Sequence, residues 1–184
     1  MKMNVYGGPP CTLSQLRYDK HMYNVSMIFP KELRIDRVIR QASHKPASYA
    51  TLEGTYAGQP VIVKRGGSQL RYEEAVLRAA SFVGIPKVID YLENDENDYL
   101  LMERLVGIPL SQYIDLDNMW HSKIVDTKDV IRITNVLALC FSALHEANYL
   151  YRDLSFGHVL VSDARIGLVD YEWCIHADKS GWGK

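Results

Sequence analysis

Asp153 and Asp170 stand seventeen residues apart, the first within the stretch Tyr151 to Val161 (YRDLSFGHVLV) and the second at the end of the apolar run Ile166 to Val169. Two carboxylates delivered by strand edges suit a phosphoryl-transfer centre, in which one orients an attacking hydroxyl and the other holds a metal on a triphosphate. Two more charged residues stand where apolar patterning turns inward. Lys64 ends the buried-looking run Val61-Ile62-Val63, and Glu73 lies on the inward stripe of a helical pattern, with Glu74 as its competitor.

The elements that must position these groups follow from periodicity. Residues 1–23 mix Gly7, Gly8, Pro9 and Pro10 with polar residues and read as an extended arm. After Pro30, the spacing of Ile35, Val38, Ile39 and Ala42 predicts a short amphipathic helix, with Arg34, Arg37 and Arg40 on other faces. Tyr49 to Lys64 is rich in strand formers and is interrupted at Gly54 and at Ala57-Gly58-Gln59-Pro60, which predicts two or three strands and a tight turn. Gly66-Gly67-Ser68 breaks the chain before a helix over Gln69 to Phe82, in which Leu70, Glu73, Val76, Leu77 and Ala80 share a stripe. Val88 to Leu92 and Tyr99 to Leu105 read as paired strands, joined by an acidic turn from Glu93 to Asp98. Asp129 to Asn148 carries Ile133, Val136, Leu137, Cys140, Phe141 and Leu144 at a period of 3.6 and is the clearest helix, leading straight into the Asp153 loop.

Composition narrows the setting. A 184-residue chain with 47% hydrophobic residues is long and apolar enough to bury a core. The net charge of −1 gives no footprint for nucleic acid, so none is expected as a partner. Cys11, Cys140 and Cys174 form neither a disulfide framework nor a zinc pair. With no apolar run of about 18 residues and no signal-peptide core at the start, a soluble cytoplasmic chain without a membrane span is expected.

The order of these parts, a strand with lysine, a helix with glutamate, two strands, a linker, a long helix, an Arg-Asp loop and a strand ending in aspartate, resembles the protein kinase-like superfamily. The resemblance runs from about Tyr49 to Trp173 and rests on VIVK at Val61 to Lys64, LLMERLVGIPL at Leu100 to Leu110, YRDL at Tyr151 to Leu154 and VDYEW at Val169 to Trp173. It implies an α+β bilobal fold with an antiparallel-sheet N-lobe and a much reduced helical C-lobe. The expected division is an arm with the amphipathic helix over 1–45, the N-lobe over 46–106 and the minimal C-lobe over 107–184. It also implies an ATP-dependent phosphotransferase acting on a hydroxyl acceptor, with a protein Ser/Thr favoured over a sugar or other small molecule. By position, Lys64 would contact phosphates and pair with Glu73, Met102 would back the adenine pocket, and the main chain of Glu103 and Leu105 would meet the purine edge. Asp153 would be the catalytic aspartate and Asp170 the metal ligand for Mg²⁺ or Mn²⁺.

Three departures from the family pattern carry further expectations. The stretch Lys45 to Ala50, where a glycine-rich phosphate loop belongs, has no glycine, leaving Ser48 and Lys45 as a substitute clamp. Five residues after Asp153, where the family has asparagine, stands His158, a second metal ligand or a brace for its loop; as a ligand it would favour Mn²⁺. The sequence Asp153-Leu154-Ser155 is similar to RIO-type kinases, and the histidine to bacterial lipopolysaccharide-core sugar kinases. Only fourteen residues follow Asp170, too few for a peptide-docking segment. The expectation is a compact kinase whose substrate site a protein partner or the N-terminal arm completes, or a pseudokinase scaffold.

Overall fold

The computed structural model describes residues 32–41, 49–93, 97–114 and 126–179. β1 (Leu33–Gln41), β2 (Ala50–Tyr56) and β3 (Gln59–Gly66) are followed by helix α1 (Gln69–Ala79), then β4 (Val88–Glu93) and β5 (Asp98–Glu103). These five strands form one antiparallel sheet in the order β1-β2-β3-β5-β4. The β2–β3 turn has Ala57 at φ 48° and Gly58 at φ 79°. Two consecutive left-handed residues match the right-handed twist of a hairpin, and glycine at the second is free of the Cβ clash.

The helix expected after Pro30 is not formed: residues 33–41 are strand β1. The physical reason lies in the register. Asp36 and Ile39 each have no opposite residue on β2, because the pairing slips between Ile35 and Arg37 and again between Val38 and Arg40. Each bulge adds one residue to the strand, so half-buried Ile35 and Val38 recur at three rather than two. That spacing imitates a helical stripe. Ile39 is the bulge residue at 50% exposure, and β-branched Ile35, Val38 and Ile39 suit a pleated strand.

Helix α1 buries Leu70, Glu73, Val76 and Leu77, the stripe expected from sequence, but ends at Ala79 rather than Phe82. Beyond β5 come β6 (Ile108–Pro109), the single turn α2 (Leu110–Tyr113) and the long helix α3 (Thr127–Glu146). The Asp126 carboxylate caps α3 by accepting the Lys128 N–H at 3.1 Å. The chain continues through β7 (Tyr149–Leu150), β8 (Val159–Val161), β9 (Ile166–Leu168) and β10 (Ile175–His176). β6, β8 and β9 form a three-stranded antiparallel sheet, and β7 pairs with β10.

The architecture is therefore α+β, with antiparallel sheets and few helices. One core joins both halves of the chain: Leu70, Val76 and Leu77 of α1 and Leu100 and Met102 of β5 cluster with Cys140 and Leu144 of α3 and Leu168 of β9. At about 25 cal/mol per Å² of apolar surface removed from water, each such side chain contributes roughly 1.5–3 kcal/mol. This shared core holds α1 and β3 against the Asp170 segment. No described helix is long and apolar enough to cross a membrane.

Candidate functional site

Lys64 sits on β3 opposite Thr51 of β2 and Leu100 of β5. Residues directly opposite across antiparallel strands share a face, so Lys64 points to the side that α1 covers. Its Nζ donates to Glu73 Oε1 at 2.7 Å and Oε2 at 2.9 Å, and to Asp170 Oδ1 at 2.8 Å. One ammonium thus ties a strand, a helix and the segment after β9. Glu74, the competing carboxylate, instead pairs with Arg78 on the exposed side of α1. Glu73 is fully buried and its Oε1 also accepts the Tyr171 N–H at 3.1 Å.

The electrostatics of this triad are mutual. Burial would lower the Lys64 pKa, but Glu73 and Asp170 outweigh it and hold the ammonium above the ordinary lysine value. Burial likewise works to raise the Asp170 carboxyl, and Lys64, with smaller help from His158 and Arg40, holds it below the usual range. Asp170 has φ 70°, a left-handed conformation that aspartate tolerates better than most residues. The neighbouring Val169 N–H donates to the His158 carbonyl at 2.9 Å, which docks this segment on the Asp153 loop.

Asp153 lies on the loop between β7 and β8 with its side chain 48% exposed, while His158 is largely buried between the two aspartates. His158 Nδ1 lies 2.7 Å from the Asp153 carbonyl oxygen. A carbonyl can only accept, so Nδ1 carries the proton and in the neutral ring Nε2 keeps a lone pair. That Nε2 is 3.6 Å from Asp170 Oδ2. The Tyr151 hydroxyl donates to the Val169 carbonyl at 2.7 Å and lies 3.4 Å from His158 Nδ1. His158 is thus a brace through Nδ1, and its Nε2 stands beside Asp170.

Asp170 Oδ2 and His158 Nε2, 3.6 Å apart, are the pair of donors here that could hold a divalent cation. Among the described residues no group of three or more His, Cys, Asp and Glu is arranged to hold a metal by itself.

Met102 is buried on β5 opposite Ile62. Leu105 is buried and its Cδ1 approaches Gly167 closely, so no Cβ fits there without displacing it. Glu103 has a side-chain role that was not expected from the sequence. Its carboxylate pairs with Arg165, and Arg165 Nε donates to the Val83 carbonyl at 2.7 Å. Burial opposes ionisation of Glu103, but the Arg165 hydrogen bond prevails and its pKa is lowered. Ser48 and Lys45 lie outside the described residues, as do positions 94–96 of the acidic turn.

Sequence reasoning missed a second charged group on the same face. Arg37, Glu53, Ile62 and Met102 form one row across four strands. Glu53, only 14% exposed, accepts from Arg37 Nε at 2.7 Å and pairs with Arg104 at 2.8 Å. Nothing local signals this network, because its members come from β1, β2 and the linker after β5. Compared with known proteins, the chain matches no family model, and no curated protein is significantly similar to it in sequence.

Proposed function

We propose that this chain is an ATP-dependent phosphotransferase with the bilobal architecture of the protein kinase-like superfamily. The observation that carries the reading is the Lys64 ammonium held between Glu73 and Asp170, with Asp153 on the adjoining loop. An ammonium fixed by a buried carboxylate is preorganised to neutralise phosphate charge. Asp170, with His158 Nε2, would hold Mg²⁺ or Mn²⁺, whose chemistry when bound is to neutralise phosphate oxygens as charge develops.

In the reaction, the acceptor hydroxyl oxygen forms a bond to the γ-phosphorus, the bridging bond to the β-phosphate oxygen breaks, and ADP departs. Asp153 accepts the hydroxyl hydrogen bond and takes its proton. Leu154, Phe156 and Trp173 are each more than half exposed, on the loop that carries Asp153 and the segment after Asp170. Apolar exposure beside the reacting centre supports an acceptor or partner that covers it. A protein Ser/Thr acceptor is favoured, and a sugar hydroxyl is the alternative.

One observation favours a second reading, a scaffold that binds nucleotide weakly and does not turn over. The row that contains Met102 begins with the Arg37–Glu53 pair, which puts charge where a purine face needs apolar cover.

Thermal melting with and without ATP, in Mg²⁺ and in Mn²⁺, tests the site. Saturation to 100 times the dissociation constant adds about 2.7 kcal/mol, or roughly 5 °C or more for a chain of this size. Asp170→Asn should abolish the metal-dependent rise. Transfer of label from γ-labelled ATP, lost in Asp153→Ala, would establish turnover. A rise without transfer would select the scaffold, and no rise in any metal would remove both nucleotide readings.

A further inference from the structure

A cation outside the Lys64 triad faces the same space. Arg40 of β1 is opposite Thr51 of β2, which is opposite Lys64 of β3. Arg40, Thr51 and Lys64 thus form a second row, parallel to the row of Arg37, Glu53 and Ile62 and on the same face. Arg37 and Arg40 are three residues apart, which in a regular strand would send them to opposite faces. The bulge at Ile39 supplies the extra residue and re-aims Arg40 toward Lys64.

Arg40 lines a recess of about 120 Å³ together with Tyr49, Thr51, Lys64, Arg65 and Asp170. Its guanidinium makes no hydrogen bond or ion pair with another described residue, although its charge reaches Asp170 and helps keep that carboxylate ionised. The recess brings the sheet cations Arg40, Lys64 and Arg65 together with two carboxylates, Asp170 and Glu172. It suits a ligand that is anionic toward the sheet and carries its own metal toward Asp170.

We propose that Arg40 is a phosphate-binding residue, aimed by the bulge at Ile39 to hold the terminal phosphates of a nucleoside triphosphate in the recess it shares with Lys64. This rests on the nucleotide reading given above and assigns the phosphate clamp to a side chain on β1. Guanidinium suits the role because its fork of N–H donors bonds two phosphate oxygens at once. Arg40 is exposed before binding, so its replacement should leave the fold intact.

The test is titration of wild type, Arg40→Ala and Arg40→Lys with inorganic tripolyphosphate, ATP and AMP in the same divalent metal. Loss of one charge-assisted contact should weaken tripolyphosphate and ATP by about 10-fold or more, with partial recovery in Arg40→Lys and little change for AMP. Equal affinities of wild type and Arg40→Ala for ATP overturn the role of Arg40 while leaving the phosphotransferase reading standing. Arg40-dependent binding of tripolyphosphate, with ATP binding no tighter, sustains the phosphate clamp and removes the nucleotide reading. Absence of binding by any of the three ligands to the wild type overturns both.

Discussion

Glu73 Oε1, on α1, accepts the backbone N–H of Tyr171 at 3.1 Å, linking residues 98 positions apart. The same oxygen receives Lys64 Nζ at 2.7 Å. A buried carboxylate in this position sets where the segment after Asp170 lies as well as where the lysine points. Glu73→Ala removes the charge and leaves the Tyr171 N–H and part of the Lys64 ammonium unpaired. Breaking a buried pair from one side costs about 3 kcal/mol or more, so melting should fall by roughly 6 °C or more. Glu73→Gln, which keeps an acceptor, should cost less. A fall of under about 2 °C in both variants would mean that Glu73 does not organise the site.

Stability should depend on pH through the same triad, with opposite signs for its members. The Asp170 pKa is lowered in the folded state, so its contribution is fully present above the ordinary carboxylate value and is lost as pH falls through the lowered one. The Lys64 pKa is raised, so its contribution is fully present below the ordinary lysine value and is lost as pH rises through the raised one. Melting temperature should therefore hold a plateau through neutrality, with these losses beginning below about pH 4 and above about pH 10. Asp170→Asn should flatten the acid limb. An acid limb unchanged in that variant would show that other carboxylates govern it.

His158 should set the metal preference if its Nε2 completes the ligand set beside Asp170. Stabilisation by ATP should then be larger in Mn²⁺ than in Mg²⁺, and His158→Ala should remove the difference. Stabilisation that is equal in the two metals, or a preference that survives His158→Ala, would leave His158 only as the brace that its Nδ1 contact with Asp153 already makes it.

Gly54 offers a test of β1 as a strand. A Cβ at Gly54 would collide with the Arg34 carbonyl oxygen across the β1–β2 pair, and that oxygen is backbone that cannot rotate away. Gly54→Ala should destabilise by about 1–3 kcal/mol, read as a lower denaturation midpoint. A neutral result would mean that residues 33–41 do not pair with β2 in solution.

Two thiols should be silent in the folded protein. Cys140 and Cys174 are buried, and burial pushes their pKa values up to about 11 and about 12. The reactive species is the thiolate. In a Cys11→Ser background, alkylation at pH 8 should be as slow as unfolding and should accelerate in denaturant. Rapid labelling under native conditions would show that α3 and the segment after Asp170 open readily.

Lys64, Glu73, Asp153, Asp170 and His158 were all legible in the chain, because each lies in or beside a local pattern: an apolar strand run, a helical stripe, or a polar loop between apolar runs. So were α1, the β4–β5 pair and the body of α3, whose periods are read over neighbouring residues. Strand β1 was not, because its bulges are a property of pairing with β2 and their spacing mimics a helix turn. The side-chain role of Glu103 was hidden for a related reason, since its partner Arg165 lies 62 residues away.

The sequence by itself determined which residues bear charge, which runs are apolar and therefore which groups could meet phosphate or metal. Tertiary structure alone decided that His158 Nε2 is the nitrogen beside Asp170 and that Arg40 shares a face with Lys64. The physical reason is that a side chain's type is local, whereas its direction depends on register. Register is set by non-local strand pairing, and one extra residue in one strand reverses it.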